Sequence, residues 1–395
     1  MSRAPQLVIF LLVALGVLAL MHYYLWRRLV SDPALPPGLA RALTVLLVLG
    51  AAGVPLVSLT ARQLDQGAVR PLALVAFSWL GLAFLLFVLL LAGDLGRGLV
   101  ALVRRGLADM PPADPERRLA VSRLLAAGTA LLGFGAGAVA IESGLARVLV
   151  RRVEVELDRL PPELDGTVIA QLTDVHVGPT IGRDFVEEVV QSTNELKPDL
   201  IAITGDLVDG TVEQLRDHTA PLAALEARYG VYFVTGNHEY YSGAESWCAE
   251  LERLNVRVLR NERVSVGTPA ASFDLAGVTD YTAGRFGDAP DLGRACAGRD
   301  PSRELVLLAH QPRAVHEAEA HGVGLQLSGH THGGQIWPWN FLVRLQQPVV
   351  AGLARIGRTL IYVSRGTGYW GPPMRLGIPA EITRIELRAK RRSAA

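Results

Sequence analysis

The stretch GLQLSGHTH, Gly324–His332, decides how this chain folds. A short leucine-rich run ends at Gly329, and two histidines follow one residue apart. Such a run, bounded by a glycine turn, reads as a buried strand. The turn then carries His330 and His332 past the strand's carboxyl end. Four other stretches repeat the form. GTVIAQLTDVH leads to Asp174 and His176, and DLIAITGDLVD leads to Asp206 and Asp209. GVYFVTGNH leads to Asn237 and His238, and ELVLLAH leads to His310.

Helix-like segments separate these runs. They cover Arg183–Leu196, closed by Lys197-Pro198, then Thr211–Arg228 and Glu245–Leu254. Alternating strands and helices imply an α/β domain. A later group, FDLAGVTD, TLIYVSRG and EITRIELR, reads as further strands. Two packed sheets with helices outside accommodate them all. Ligands of open α/β sheets collect beyond the carboxyl ends of strands. Five strand ends delivering Asp, Asn and His to one edge therefore mark a site. A lone histidine after an apolar run is ordinarily a packed or surface residue, and His22, His218, His316 and His321 are read that way.

The candidate metal ligands are Asp174, His176, Asp206, Asn237, His310, His330 and His332. They mix oxygen and imidazole donors without a thiolate, which suits Mn, Fe or Zn better than Ca or Mg. Seven side chains exceed the needs of one tetrahedral ion and suit two divalent ions sharing a carboxylate. Two cations about 3.5–4 Å apart hold a phosphate, activate a bridging water and stabilise both the attacking and the leaving oxygen. Asp206, in the middle turn, is the natural shared ligand. Gly205, Gly236 and Gly329 each precede a ligand and permit sharp turns and close approach.

Composition points to a second region. The chain has 395 residues, half of them hydrophobic, and a net charge of +1. Near-neutral charge argues against nucleic acid as a partner, because binding it needs a basic face. Two cysteines, Cys248 and Cys296, make neither a disulfide framework nor a four-thiolate zinc site. Four apolar runs, at 6–26, 42–60, 71–93 and 124–141, approach or exceed the roughly 18–20 residues that cross a bilayer as a helix. The fourth is rich in Gly and Ala, a composition suited to close helix packing. Residues 1–150 are thus expected to form a membrane region of about four transmembrane helices, and 151–395 a separate domain.

Arginines suggest an orientation. The first and third loops hold nine of them: Arg27, Arg28, Arg41, Arg97, Arg104, Arg105, Arg117, Arg118 and Arg123. The opposite side holds six: Arg3, Arg62, Arg70, Arg147, Arg151 and Arg152. Arg117-Arg118 before a mild apolar run also resembles a twin-arginine export signal, although a positive-inside flank reads the same way. Both readings put the second domain on the outer face of the cell membrane.

The order D-x-H, G-D-x-x-D, G-N-H-E, a single H and G-H-T-H resembles that of the calcineurin-like metallophosphoesterases, over roughly Asp165–Leu387. The resemblance implies a four-layer α-β-β-α sandwich of two mixed sheets flanked by helices. It implies that Asp174, His176, Asp206 and His332 hold one metal, and that Asp206, Asn237, His310 and His330 hold the other. His238 would contact the phosphate and act as the acid for the leaving group, and Asp209 would orient a ligand or its loop. SRGTGYWGPPMRLGIPAEIT, with GHTHGGQ, looks like the branch of transmembrane proteins with a metallophosphoesterase domain. Related members include exported bacterial phosphoesterases and enzymes cleaving UDP-2,3-diacylglucosamine in lipid A synthesis.

Three functions follow from these readings. The first is a membrane-anchored phosphoesterase acting on a phosphoester or pyrophosphate, with a lipid-linked substrate in view. The second is the UDP-2,3-diacylglucosamine pyrophosphatase, which needs a cytoplasmic domain and conflicts with the orientation. The third is a membrane sensor or scaffold that binds without catalysis, which an intact ligand set disfavours. Trp337, Trp339, Phe341, Leu342, Val349, Val350 and Leu353 form either an apolar lid toward the bilayer or ordinary core. Tyr369 and Trp370 carry the same two readings. Arg365 and Arg375 either pair with a substrate phosphate or do nothing specific at the surface.

Overall fold

The computed structural model describes residues 3–60, 66–107 and 114–390. Arg62, one of the arginines counted above, lies outside these residues, as do the last five residues of the expected 151–395 domain. The chain divides into two compact units, Met1–Glu142 with Gly371–Met374, and Ser143–Trp370 with Arg375–Ala395.

Helices α1 (Arg3–Trp26), α2 (Pro37–Thr60), α3 (Gln66–Leu107) and α4 (Pro115–Leu145) make up the first unit. Three of the four apolar runs lie in helices long and apolar enough to cross a membrane, those at Pro37–Thr60, Gly67–Val103 and Pro115–Leu145. The first run lies in α1. The helices outrun the apolar runs because their polar ends still satisfy the i→i−4 backbone ladder. Leu25, Leu47, Ala83, Leu86 and Leu90 form an internal apolar cluster. Outward-facing Leu20, Leu49, Leu59 and Leu131 stay exposed, as a hydrocarbon solvent would favour. Polar side chains pair within the unit. Trp79 Nε1 donates to His22 Nε2 at 3.0 Å, and Tyr24 donates to Asp94 at 2.7 Å. Asp94 also pairs with Arg28 and Arg97.

The second unit carries two six-stranded sheets. The first has the order β1 (Leu149–Leu157), β12 (Glu381–Ala389), β2 (Val168–Leu172), β3 (Leu200–Ile203), β4 (Val231–Phe233) and β5 (Val256–Val258). The second has the order β10 (Gly352–Ile356), β11 (Thr359–Val363), β9 (Leu325–Ser328), β8 (Leu305–Leu308), β7 (Ser272–Gly277) and β6 (Glu262–Gly267). Both sheets mix parallel and antiparallel pairs.

Strand alternation builds the layers. Ile169, Leu200, Val306, Leu308, Leu325 and Leu327 point into the space between the sheets and form a core with Phe273, Tyr362 and Ile385. The alternate residues Ala170, Leu172, Ile201 and Ile203 face outward, onto Val186, Val189, Leu215, Trp247 and Leu251. Those come from α5 (Arg183–Glu195), α6 (Val212–Thr219) and, after the short α7 (Asn237–Ser242), α8 (Ala244–Arg253). On the far side, Leu305 and Leu307 pack on Leu292, Ala295 and Ala318, from α9 (Leu292–Cys296) and α10 (Val315–Ala320). Helix, sheet, sheet and helix are thus the four layers expected. Each fully buried Leu, Ile or Val contributes about 1.5–3 kcal/mol.

The expected helix Thr211–Arg228 stops early. A capping box of Thr211 and Gln214 starts α6, but the chain tightens to a 3₁₀ turn at Ala220–Ala224. Pro221 has no N–H to continue the ladder. Strands β1, β5, β6 and β10 escaped the sequence reading because each leaves residues exposed or is very short.

Register aligns the turns. Leu172 pairs with Ile203 and Ile203 with Phe233, all in parallel strands. Leu308 pairs with Leu327, and Ser328 with Val363. The loops leaving these strands therefore emerge at one level along each sheet.

Candidate metal centre

The backbone of these loops is unusual. Asp174, His176, Asp206, His330 and His332 all have positive φ, between 48° and 70°. Asp and His tolerate this left-handed region better than most residues, at about 1–3 kcal/mol each. Hydrogen bonds hold the loops in place. Asp174 N donates to Gly205 O at 3.0 Å, and His176 N to Asp206 O at 3.2 Å. Gly205 has φ +87°, and a Cβ there would lie 2.6 Å from Gly236 N and 2.7 Å from His310 Nδ1. A Cβ on Gly236 would lie 2.2 Å from Asp206 Oδ1. Glycine is what lets the β3 and β4 turns touch.

Three clusters of donor atoms result among the described residues, one of them His176, Asp209 and His238. In another, donor atoms of Asp174, His176 and His332 lie within 4.8 Å of one another. His176 Nε2 and His332 Nε2 are 3.0 Å apart, and His332 Nε2 is 3.5 Å from Asp174 Oδ1. In the third, Asp206, His310 and His330 meet the same limit. His310 Nε2 is 3.0 Å from Asp206 Oδ2 and 3.2 Å from His330 Nδ1. His238 Nε2 is 3.9 Å from Asp206 Oδ2.

Neighbours set the tautomers. His310 Nδ1 donates to the Thr204 carbonyl at 2.7 Å, which turns Nε2 toward Asp206. Asp209 accepts from two imidazoles at once, His238 Nδ1 at 2.5 Å and His176 Nδ1 at 3.2 Å. It thereby turns both Nε2 atoms inward. Asp174 Oδ2 accepts from Thr173 Oγ1 at 2.8 Å, and both its oxygens accept from His330 N, at 2.9 and 3.0 Å.

Charge follows geometry. Burial raises Asp174. Burial also pushes Asp206 up, but His310 and His238 outweigh it and hold the carboxylate well below its ordinary value. Burial opposes protonation of His238, yet Asp206 and Asp209 raise it to about 10. Burial and His310 drop His330 to about 3, and burial with His176 keeps His332 neutral.

The residues fit metal ions on three observations. His330 and His332 are held neutral, the form that ligates. The Nε2 atoms of His176 and His332 lie 3.0 Å apart, with Asp174 Oδ1 3.5 Å from the latter, so three donor atoms converge on one point. Asn237 is 9% exposed, and its Oδ1 is buried without a hydrogen-bond partner. Such an orphaned acceptor calls for a cation or donor.

Sequence reasoning assigned no role to Glu239, although it ends the G-N-H-E motif. It is fully buried and accepts from Asp206 N (3.0 Å), Leu207 N (2.8 Å) and Gly236 N (2.6 Å). One carboxylate thus ties the β3 turn to the β4 turn. A lone Glu after His gives no hint of three backbone donors converging from two loops.

Arg375 meets neither of its expectations. It is fully buried and donates to the carbonyls of Arg365 (2.9 Å), Gly368 and Ile378 (3.1 Å). Arg365 is half-buried, 3.8 Å from Glu381. The aromatic stretch divides. Trp337, Trp339, Phe341 and Leu342 are about half exposed, at 53%, 48%, 55% and 50%, so they do not fill a core. Leu353 is exposed too, whereas Val349 packs on Val315, Ile361 and Val363. Tyr369 is buried. Trp370 is exposed, with its ring 5.7 Å from the His238 ring, and Tyr241 flanks the same imidazole at 5.5 Å.

The chain is similar to several known proteins. Residues 167–334 match the family model described as calcineurin-like phosphoesterase. A Bos taurus "Transmembrane protein with metallophosphoesterase domain" is 40% identical, covering 80% of this chain and 74% of its own length. The Danio rerio protein of that name is 34% identical, over 96% of this chain and 89% of its own. A solved putative 5'-nucleotidase from Staphylococcus aureus is 13% identical, over 58% of this chain and 55% of its own, with a TM-score of 0.36. Two relatives of such identity and coverage, with the family-model match, show that the chain belongs to the calcineurin-like metallophosphoesterase family.

Proposed function

We propose that the protein is a multi-pass membrane phosphoesterase whose second unit hydrolyses a phosphoester or pyrophosphate at a two-metal centre. The observation that carries this is the placement of Asp206, with His310 Nε2 at 3.0 Å and His238 Nε2 at 3.9 Å from the same oxygen. Asp174, His176 and His332 would hold one divalent ion, and Asn237, His310 and His330 the other, with Asp206 shared. Mn, Fe or Zn suits this donor set. Such ions would withdraw charge from the phosphoryl group and activate a water.

The chain's own residues do the rest. Asp209 locks His238 through Nδ1 and aims Nε2 inward. A protonated His238 stabilises the extra negative charge of the transition state and gives its proton to the leaving oxygen. Glu239 and Thr173 keep the Asp206 and Asp174 turns from relaxing. The test is turnover of an aryl phosphodiester with Mn²⁺. Asp206→Ala and His238→Ala should each lower kcat/KM by about 100-fold or more. Activity that survives both substitutions refutes the assignment.

The three long apolar helices anchor the unit, and the arginine balance favours an outer-face location. Exposed Trp337, Trp339 and Phe341 favour a lipid-linked substrate, because an indole suits the boundary between hydrocarbon and water. Replacing Trp337 and Trp339 by Ser should slow turnover of a phospholipid substrate more than that of a soluble aryl diester. Equal effects on both sink the lipid reading.

A further inference from the structure

The proposed acid, His238, has two exposed aromatic neighbours. The Trp370 ring lies 5.7 Å from the imidazole and the Tyr241 ring 5.5 Å, centroid to centroid. Both meet it edge to face, at interplanar angles of 75° and 70°. Trp370 is 55% exposed and Tyr241 58%, and the His238 side chain itself keeps 17% of its surface open. Phe286 extends the same surface, 6.2 Å from the Tyr241 ring. Large rings left open around a reactive group mark a recognition surface rather than a core.

Neither ring hangs on a loose segment. Tyr241 follows His238 by three residues on α7, which puts both on one side of that helix. Trp370 is held through its backbone. Its N–H donates to Gln335 Oε1 at 3.0 Å, and Gln335 Nε2 donates to its carbonyl at 3.1 Å. One amide side chain thus pins both backbone groups of Trp370, as a neighbouring strand would. Gln335 follows His332 by three residues and has φ +53°, a region that residues other than glycine seldom occupy. A strained residue beside the candidate ligand turn therefore fixes an exposed indole next to the acid, and strain of this kind gathers at functional sites.

An acid that protonates a leaving oxygen lies within about 3 Å of it. Whatever that oxygen carries must leave the centre past the imidazole, within reach of both rings. Aromatic rings attract one another at centroid separations of roughly 4.5–7 Å. A planar ring near the leaving oxygen falls in that range. A saturated ring of the same size offers similar apolar area but no π face. We propose that Trp370 and Tyr241 form a leaving-group subsite, selective for a substrate whose leaving group carries a planar aromatic ring, as in an aryl or nucleoside ester. The inference rests on the reading of His238 as the acid, and it names the class of leaving group.

Equilibrium binding of phosphonates tests it without turnover. Full-length Mn²⁺-loaded protein in detergent is titrated calorimetrically with benzylphosphonate and 4-phenylbutylphosphonate, each against its cyclohexyl counterpart. Wild type should bind the phenyl member of one pair about fivefold to tenfold more tightly. The short pair represents an aryl ester, and the long pair a ring carried farther out, as in a nucleoside. Trp370→Leu and Tyr241→Leu keep apolar volume but lose the ring, so each should bring the phenyl-to-cyclohexyl ratio toward one. Trp370→Phe should keep part of the preference. A role limited to shaping the turn would weaken both members of a pair alike, and a ratio unchanged in both leucine variants overturns the proposal. So does a wild-type ratio near one for both pairs, or tighter binding of 2-(trimethylammonio)ethylphosphonate than of either phenyl ligand. Should a variant fail to fold, the wild-type ratios decide alone. Failure of His238 as the acid would show separately, as unchanged turnover of an aryl diester by His238→Ala.

Discussion

Asp209→Asn is the most informative single change. Asp209 accepts from His238 Nδ1 at 2.5 Å and from His176 Nδ1 at 3.2 Å, one oxygen to each. Asparagine has the same shape but one acceptor and one donor group. It can serve only one imidazole. The other Nδ1–H would then face an N–H, and its ring would flip tautomer and present Nε2–H to the centre. A hydrogen bond to a charged group contributes about 1.5–3 kcal/mol, and a neutral acceptor gives roughly half of that. One bond lost and one weakened amounts to about 2–4 kcal/mol of positioning energy. Part of this should relax away, because Asp209 is at the rim with a 22% exposed side chain. Removing the carboxylate that orients a ligating histidine typically lowers metal affinity or activity 10- to 100-fold. The expected result is a kcat/KM lower by about 10- to 100-fold, with weaker Mn²⁺ retention if His176 is the ring that flips. Steady-state turnover of an aryl phosphodiester and metal content after dialysis measure the two effects. A variant within threefold of wild type in kcat/KM, with unchanged metal content, would show that Asp209 does not control these imidazoles.

Gly205→Ala forces a Cβ into a left-handed turn and to within 2.6 Å of Gly236 N. The conformation alone costs about 1–2 kcal/mol, so apparent Tm at a fixed scan rate should fall by several degrees; an unchanged Tm would mean the turn is slack. Chelation should abolish turnover reversibly and lower Tm, since ions bound only by the folded state stabilise it. An EDTA-insensitive Tm would argue that the clusters hold no metal. In chelated protein, His238 titrates at about 10 when folded, above the ordinary imidazole value near 6.5. Its contribution to stability is then complete below that ordinary value and is lost as pH rises to about 10. Tm of chelated wild type should therefore fall over that interval more than Tm of His238→Gln, and parallel curves would contradict the pairing with Asp206 and Asp209.

Much of this protein is local and therefore legible in its residue order. Length and hydropathy mark α2, α3 and α4, because a helix satisfies its backbone within itself. Short apolar runs ended by glycine mark β2, β3, β4, β8 and β9, and the polar residues after them name the site. What the order of residues could not show depends on parts of the chain far apart. Glu239 matters because three backbone N–H groups from two turns converge on it. Arg375 is interior because the carbonyls of 365, 368 and 378 fold around it. The indole of Trp370 is placed beside His238, and the indoles of Trp337 and Trp339 face outward, by the folding of loops between strands. The atoms available for chemistry are legible from residue order alone, since donor type is a property of each residue. Which donors share a centre depends on the fold, since strand register sets the level at which each turn emerges.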